Sequence, residues 1–148
     1  MSNVLIVYHT FTGKTKKMAE AVAEGVGSVQ GTEPRIGEAN DTGPEDFAKA
    51  DAVAFGAPNT FGGMAGALKD FFDRGWSVHE KTSGKPAGAF TCEKPDESGA
   101  LIQIETFFTF FGLNKVDDGV AAPGEVGENE LERCRELGRK LGEASIRK

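Results

Sequence analysis

The chain of 148 residues suits one domain around one hydrophobic core, and 39% hydrophobic with 27% charged residues is the composition of an ordinary globular protein. Seventeen Lys and Arg against 23 Asp and Glu leave a formal charge of −6, which argues against a nucleic-acid backbone as the main partner and suits docking to basic protein surfaces. No apolar run approaches the roughly 18–20 residues that span a bilayer, and "VLIVY", without a basic lead, is too short for a signal-peptide core, so a cytoplasmic protein is predicted.

Residues 4–7, Val-Leu-Ile-Val, read as a strand buried on both faces. Met18, Ala21, Val22, Gly25 and Val26 then recur at helical spacing, giving an amphipathic helix of about three turns that ends near Gly27 and Ser28. A short strand over 34–37 and the turn cluster "GEANDTGPED" lead to a short helix over 45–49. Residues 52–56 form the next buried strand, "APNTFGG" a loop, and Met64, Leu68, Phe71 and Phe72 mark a helix over about 63–74. A fourth strand over 87–91 precedes the loop "CEKPDESG" and an apolar helix carrying Leu101, Ile104, Phe107, Phe108 and Phe111. An uninterrupted fifth strand over 114–120, the loop "AAPGEVGEN" and a helix from about 128 close the chain, with Leu131, Cys134, Leu137, Gly138 and Leu141 on one side.

Strict β/α alternation predicts right-handed crossovers and a parallel sheet covered on both faces, in a single domain spanning 1–148. Such sheets bind ligands at the carboxyl ends of their strands, which directs attention to loops 9–15, 57–63 and 91–99. Cys92 and Cys134 lie far apart with no Cys-x-x-Cys spacing, so two free thiols and no metal site are expected. Cys92 reads as a small residue at a strand end rather than a redox thiol. His9 and His79 have no carboxylate partner evident in sequence, and neither is assigned a catalytic role.

The first loop ends in Gly13-Lys14-Thr15, three letters shared with a nucleoside-triphosphate loop. That motif needs a glycine where Tyr8 stands, and an acidic residue for Mg²⁺ at the end of a later strand, where Gly56 stands. What remains is Thr10-x-Thr12-Gly13-x-Thr15 between a strand and a helix. Three hydroxyls and free backbone N–H groups converge there at the positive end of a helix, a trap for one phosphate dianion. An N-capping loop rich in threonine would read the same way.

Thr10-Phe11-Thr12-Gly13-Lys14-Thr15 resembles throughout the [ST]-x-T-G-x-T phosphate loop of flavodoxins. The resemblance implies an α/β, flavodoxin-like three-layer sandwich with a five-stranded parallel sheet of order 2-1-3-4-5. It also implies FMN, its phosphate held by the hydroxyls of Thr10, Thr12 and Thr15 and the amides of 11–15, with Lys14 at a variable position. "FGAPNTFGGM" is similar to the Gly-x-Pro-x-x-Phe-Gly-x-Met block of flavodoxin-fold NAD(P)H:quinone oxidoreductases and FMN reductases, met here by Gly56, Pro58, Phe61, Gly62 and Met64. By that likeness Pro58, Asn59, Thr60, Phe61 and Gly62 border the isoalloxazine, and Trp76 lies beside it. Loop 91–99 resembles in position the one that meets the pyrimidine edge, which brings in Thr91, Cys92, Glu93 and Gly99. The acids Glu93, Asp96 and Glu97 there would lower the flavin's potential.

The resemblance implies an electron carrier serving redox partner proteins with basic docking surfaces, as a monomer or weak dimer without membrane insertion. The short segment 74–86 and the lack of a second G-x-G-x-x-G favour a carrier. A small NAD(P)H-dependent quinone or FMN oxidoreductase is the alternative, and a module that binds no FMN is a third reading.

Overall fold

The computed structural model describes residues 1–147. Strands β1 (Ser2–Tyr8), β2 (Thr32–Glu38), β3 (Ala52–Thr60), β4 (Gly63–Met64), β5 (Pro86–Cys92), β6 (Asn114–Lys115) and β7 (Val120–Ala122) are interleaved with helices α1 (Lys14–Gly27), α2 (Pro44–Lys49), α3 (Gly66–Gly75), α4 (Ala100–Phe111) and α5 (Glu128–Ile146). The sheet runs β2-β1-β3-β5, and β5 then pairs in parallel with β6 at one end and β7 at the other. Counted by position, this is the expected order 2-1-3-4-5.

Three expectations are corrected in detail. The fifth strand is not continuous: residues 116–119 leave the ladder between β6 and β7. There the Asp117 carboxylate reaches Lys140 of α5 at 2.8 Å, and Gly119 passes under Leu101, whose Cδ1 would lie 2.4 Å from a Cβ at that position. The sheet therefore holds seven strand segments rather than five. The loop expected over 57–63 is largely strand: β3 continues to Thr60 and turns back into β4, with Asn59 opposite Met64 and Thr60 opposite Gly63. Consequently α3 starts at Gly66 rather than about 63.

Side chains alternate across the sheet. Leu5, Val7, Val53, Phe55 and Ala89 face α3 and α4, whereas Val4, Ile6, Ala52, Ala54 and Phe90 face α1 and α5. The first face is aromatic, with Phe55 and Phe72 centroids 4.6 Å apart and Phe47, Phe71, Phe108 and Phe111 around them. Each such ring contributes about 1.5–3 kcal/mol on burial. On the second face, α1 and α5 cross backbone to backbone: a Cβ at Gly25 would lie 1.9 Å from the Arg135 carbonyl oxygen, and one at Gly138 1.9 Å from that of Val22. Gly56 is likewise fixed by packing, because a Cβ there would enter the Phe90 ring at 1.9 Å. No helix among the described residues is long and apolar enough to cross a membrane.

Candidate functional site

The carboxyl ends of β1, β3, β5 and β7 surround a cleft of about 200 Å³ lined by Thr10, Phe11, Thr12, Lys14, Thr15, Pro58, Asn59, Cys92, Glu93, Lys94, Glu97 and Gly124. A second depression of about 580 Å³ adjoins it, sharing Asn59 and Glu97 and bounded by Phe61, Gly62, Asp96 and Ser98. The topology rule that places ligands at strand ends is thus met at a pair of connected hollows.

The floor of the cleft is the N-terminus of α1. Gly13 takes a left-handed φ of 94°, and no described side chain caps the helix, so its first amides open toward the cleft. The Thr10 hydroxyl accepts the Gly13 N–H at 2.9 Å, which closes the loop and leaves its own proton free to donate. Thr12 is exposed at the mouth. Thr15 is buried, and its hydroxyl points at the Cys92 sulfur, 3.7 Å away. Lys14 extends to Glu125 at 3.3 Å and links the first loop to the segment after β7. An uncapped helix start, a left-handed glycine and available hydroxyls fit a single phosphate without a metal, and no group of metal-ligating side chains occurs among the described residues.

The wall is the β3–β4 hairpin. Its two tip residues, Phe61 at φ 50° and Gly62 at φ 82°, both have positive φ, the pattern of a type I′ turn, which matches the twist of paired strands. Glycine meets that demand freely, but phenylalanine does so only at a cost, and Phe61 buries nothing in return because it is fully exposed. A strained, solvent-facing aromatic beside a cleft is the pattern of a contact kept for a ligand. The hairpin is anchored by the Gln103 side chain, which accepts the Met64 N–H at 2.7 Å, and by Gly99, where a Cβ would lie 2.0 Å from the Gly62 carbonyl oxygen.

The third side is the segment after β5. Lys94 to Glu97 form a tight turn, with the Glu97 N–H donating to the Lys94 carbonyl at 3.0 Å. Glu93 and Asn59 both serve α4: their side-chain oxygens accept the N–H groups of Leu101 (3.2 Å) and Ala100 (3.1 Å). The charge of Glu93 is thus engaged by a helix N-terminus, and Asp96 and Glu97 remain as the exposed acids. Burial pushes the Cys92 thiol up, against smaller opposing effects of Thr15 and Lys14. Cys92 lies 3.6 Å from the Met18 sulfur.

Of the residues expected at the site, Trp76 is not there. It ends α3, stacks on His79 at 3.9 Å and lines a different groove with Phe72 and Phe110. Thr91 is fully buried, and its hydroxyl has no partner among the described residues. Thr60 lies within the hairpin. Sequence reasoning missed Lys94, Gly124 and Glu125, although applying the strand-end rule to the fifth strand points to the segment after Ala122 as well. It also missed that Glu38, ending β2, lies 3.8 Å from His9, giving that histidine the carboxylate neighbour not evident in sequence.

Residues 5–132 match the Flavodoxin domain family. The chain belongs to the flavodoxin family. It is 38% identical to a flavodoxin of Aquifex aeolicus over 163 aligned positions, covering 97% of this chain and 86% of that one. It is 36% identical to an NAD(P)H dehydrogenase (quinone) of Geobacter sulfurreducens over 134 positions, covering 73% of this chain and 66% of that one, so it spans just under two thirds of that relative. Among solved structures it superposes on a flavodoxin from the domain Archaea with a TM-score of 0.87 at 23% identity, covering 97% and 98% of the two chains, a likeness of fold.

Proposed function

We propose that this chain binds FMN at the cleft and carries single electrons between redox proteins in the cytoplasm. The observation that carries the reading is the uncapped, threonine-lined start of α1 in a cleft that shares Asn59 and Glu97 with the adjoining hollow bounded by the strained, exposed Phe61. In this reading the amides of 11–15 and the hydroxyls of Thr10 and Thr12 hold the phosphate. Thr15 contributes by turning from Cys92, and Phe11 and Lys14 line the entrance. Pro58, Asn59, Thr60, Phe61 and Gly62 border the ring system, with Cys92, Glu93 and Gly99 on the facing side. Thr91 supports that side from the core, and Trp76 is left out. When bound, FMN supplies the electron-accepting chemistry, while the protein supplies position and electrostatics. Asp96, Glu97 and Glu125 at the rim support docking of basic partner surfaces.

A second reading, an NAD(P)H-dependent quinone oxidoreductase, is supported by the Gly56-x-Pro58 block and by the likeness to the Geobacter enzyme. Adding NADH or NADPH with a quinone to FMN-loaded protein separates the two. A carrier shows negligible turnover without a reductase partner, and rapid quinone reduction by the nicotinamide alone overturns the carrier.

The binding itself is tested by titrating apoprotein with FMN and with riboflavin, following flavin fluorescence. The phosphate loop requires FMN to bind more tightly. Thr12→Asp places a carboxylate against the phosphate. Two unit charges about 4 Å apart repel by about 1 kcal/mol in water and about 4 kcal/mol at an effective dielectric of 20, so roughly 5- to 1,000-fold weaker FMN binding is expected. Equal affinity for riboflavin and FMN, or a silent Thr12→Asp, would refute the phosphate assignment.

A further inference from the structure

Four charged side chains line the cleft: Lys14, Glu93, Lys94 and Glu97. Two of them are engaged elsewhere. Lys14 reaches out to Glu125 at 3.3 Å, and Glu93 accepts the Leu101 N–H at 3.2 Å. Lys94 and Glu97 form no ion pair among the described residues, although the Glu97 N–H donates to the Lys94 carbonyl at 3.0 Å. These two divide the space between the hollows. Glu97 borders both, whereas Lys94 borders only the cleft that holds the threonine loop. The backbone fixes Lys94 from both sides. Before it, the Glu93 N–H donates to the Ala122 carbonyl at 2.9 Å and carries the β5–β7 ladder one residue further. After it comes the turn that joins Lys94 to Glu97. Its stem passes over Gly124, where a Cβ would lie 3.6 Å from the Lys94 Cε. Gly124 adjoins Glu125, the partner of Lys14.

We propose that Lys94 is the cation that meets the FMN phosphate and thereby sets the preference for phosphorylated over free flavin. The proposal rests on the FMN reading. Charge balance carries the argument. A phosphate monoester brings a charge of about −1.5 to −2 at pH 7, and a helix N-terminus answers with only about half a positive charge. Hydroxyls and amides add hydrogen bonds but no net charge. The surroundings widen the deficit, because the chain carries −6 and Glu93 and Glu97 share the cleft. Lys14, inside the loop itself, is already matched by Glu125. Lys94 is the remaining cation of the cleft. An ammonium on a flexible stem suits the task, since a point charge follows a phosphate without the fixed fork of a guanidinium. The two unengaged charges are also sorted along the site: the cation lies in the cleft of the phosphate loop, and the acid borders the hollow of Phe61. Loop 91–99 thus serves both ends of the ligand, Lys94 the phosphate and Glu97 the ring.

Titrating apoprotein with FMN and with riboflavin, at low and at high ionic strength, tests it. Lys94→Gln is expected to weaken FMN binding at least about fivefold at low ionic strength, the bulk-water value for two unit charges about 4 Å apart, and to leave riboflavin unchanged. The loss should shrink at high ionic strength, which a packing defect would not do. Lys94→Arg keeps the charge and the affinity. Lys49→Gln, at the end of α2, removes the same charge away from the cleft and should change neither ligand. Each variant should melt like the wild type, since Lys94 and Lys49 are exposed. An FMN preference that Lys94→Gln leaves intact overturns the proposal, as does an equal loss in Lys49→Gln or a loss that salt does not touch. A lowered FMN potential with an unchanged affinity ratio places Lys94 at the ring and also overturns it. Wild-type protein that binds riboflavin as tightly as FMN defeats the phosphate assignment itself, a result distinct from these, and Lys94 loses its role with it.

Discussion

Phe61→Asn separates what the hairpin tip costs the fold from what it gives the ligand. Phe61 holds a left-handed φ of 50° and is fully exposed, so its removal loses no packing in the free protein. A left-handed residue with a Cβ costs roughly 1–2 kcal/mol, and asparagine, which bonds its own backbone, recovers part of that. Asparagine followed by glycine is also the preferred pair for a two-residue type I′ hairpin, and Gly62 already stands second. The apoprotein should therefore gain about 0.5–1 kcal/mol, which raises the melting temperature by roughly 1–4 °C for a domain near 150 residues. Loss of the ring removes aromatic stacking worth about 0.5–1.5 kcal/mol, so FMN should bind about 2- to 12-fold more weakly. Calorimetric melting of apoprotein and FMN titration by fluorescence give the two numbers independently. Opposite signs are the expected signature of a residue retained for binding at the expense of stability. A destabilised apoprotein would show that Phe61 packs in the free protein. Unchanged FMN affinity would show that the exposed ring is not a ligand contact.

Gly99→Ala forces a side chain onto a φ of +136° and drives its Cβ to within 2.0 Å of the Gly62 carbonyl oxygen. A loss of about 2–4 kcal/mol in urea unfolding is expected, with weaker flavin retention, and a neutral variant would refute the hairpin–α4 contact. Burial raises the Cys134 thiol from its ordinary 9.0 to about 12. Because the folded value is the raised one, the stability this brings is fully present below about pH 9 and is lost as pH climbs toward 12. Cys134 should resist iodoacetamide at pH 7 until the protein unfolds, and rapid labelling of the native state, read by mass spectrometry, would contradict its burial. Glu97→Lys replaces an exposed acid at the cleft by a cation and should raise the two-electron potential of bound FMN by roughly 5–20 mV, from an exposed-pair energy of about 0.2–1 kcal/mol. An unchanged potential would place Glu97 away from the ring.

The parts of this fold legible in sequence are those where one period dominates. Buried runs such as 4–7 and 52–56, the 3.6-residue pattern through Met18, Val22 and Val26, and the threonines around Gly13 each admit few conformations. The failures share a physical cause, competition between two local signals or dependence on a neighbour. Residues 57–63 carry Pro58, Asn59, Gly62 and Gly63, which announce a turn, and Phe61 is a poor type I′ residue, so nothing local separates a hairpin from a loop. What decides it is Gln103, 39 residues on, which binds the Met64 amide. The break in the fifth strand had a local mark in Asp117-Asp118-Gly119, outweighed by the valines at either end. His9 and Glu38 meet because Tyr8 pairs with Glu38 in the parallel register of β1 and β2, a relation no single segment contains.

Trp76 shows how much a distance argument adds to a motif. It follows a ten-residue helix that returns antiparallel to β3, and at 1.5 Å per residue that helix carries its end about 15 Å from the carboxyl edge where it began. Hairpin tip and tryptophan are fifteen residues apart in sequence and on opposite edges of the sheet. The same displacement keeps the exposed aromatics by the cleft, Phe11 and Phe61, apart from Trp76 and Phe110. Phe61 is strained and borders a hollow with Asn59, Asp96, Glu97 and Ser98. Trp76 and Phe110 are free of positive φ and line one groove with Phe72, Phe107 and Asp73. Sorting exposed aromatics by backbone strain and by neighbours, rather than by exposure alone, sets Phe61, at the hairpin tip beside the cleft, apart from Trp76 and Phe110, which share a groove between α3 and α4.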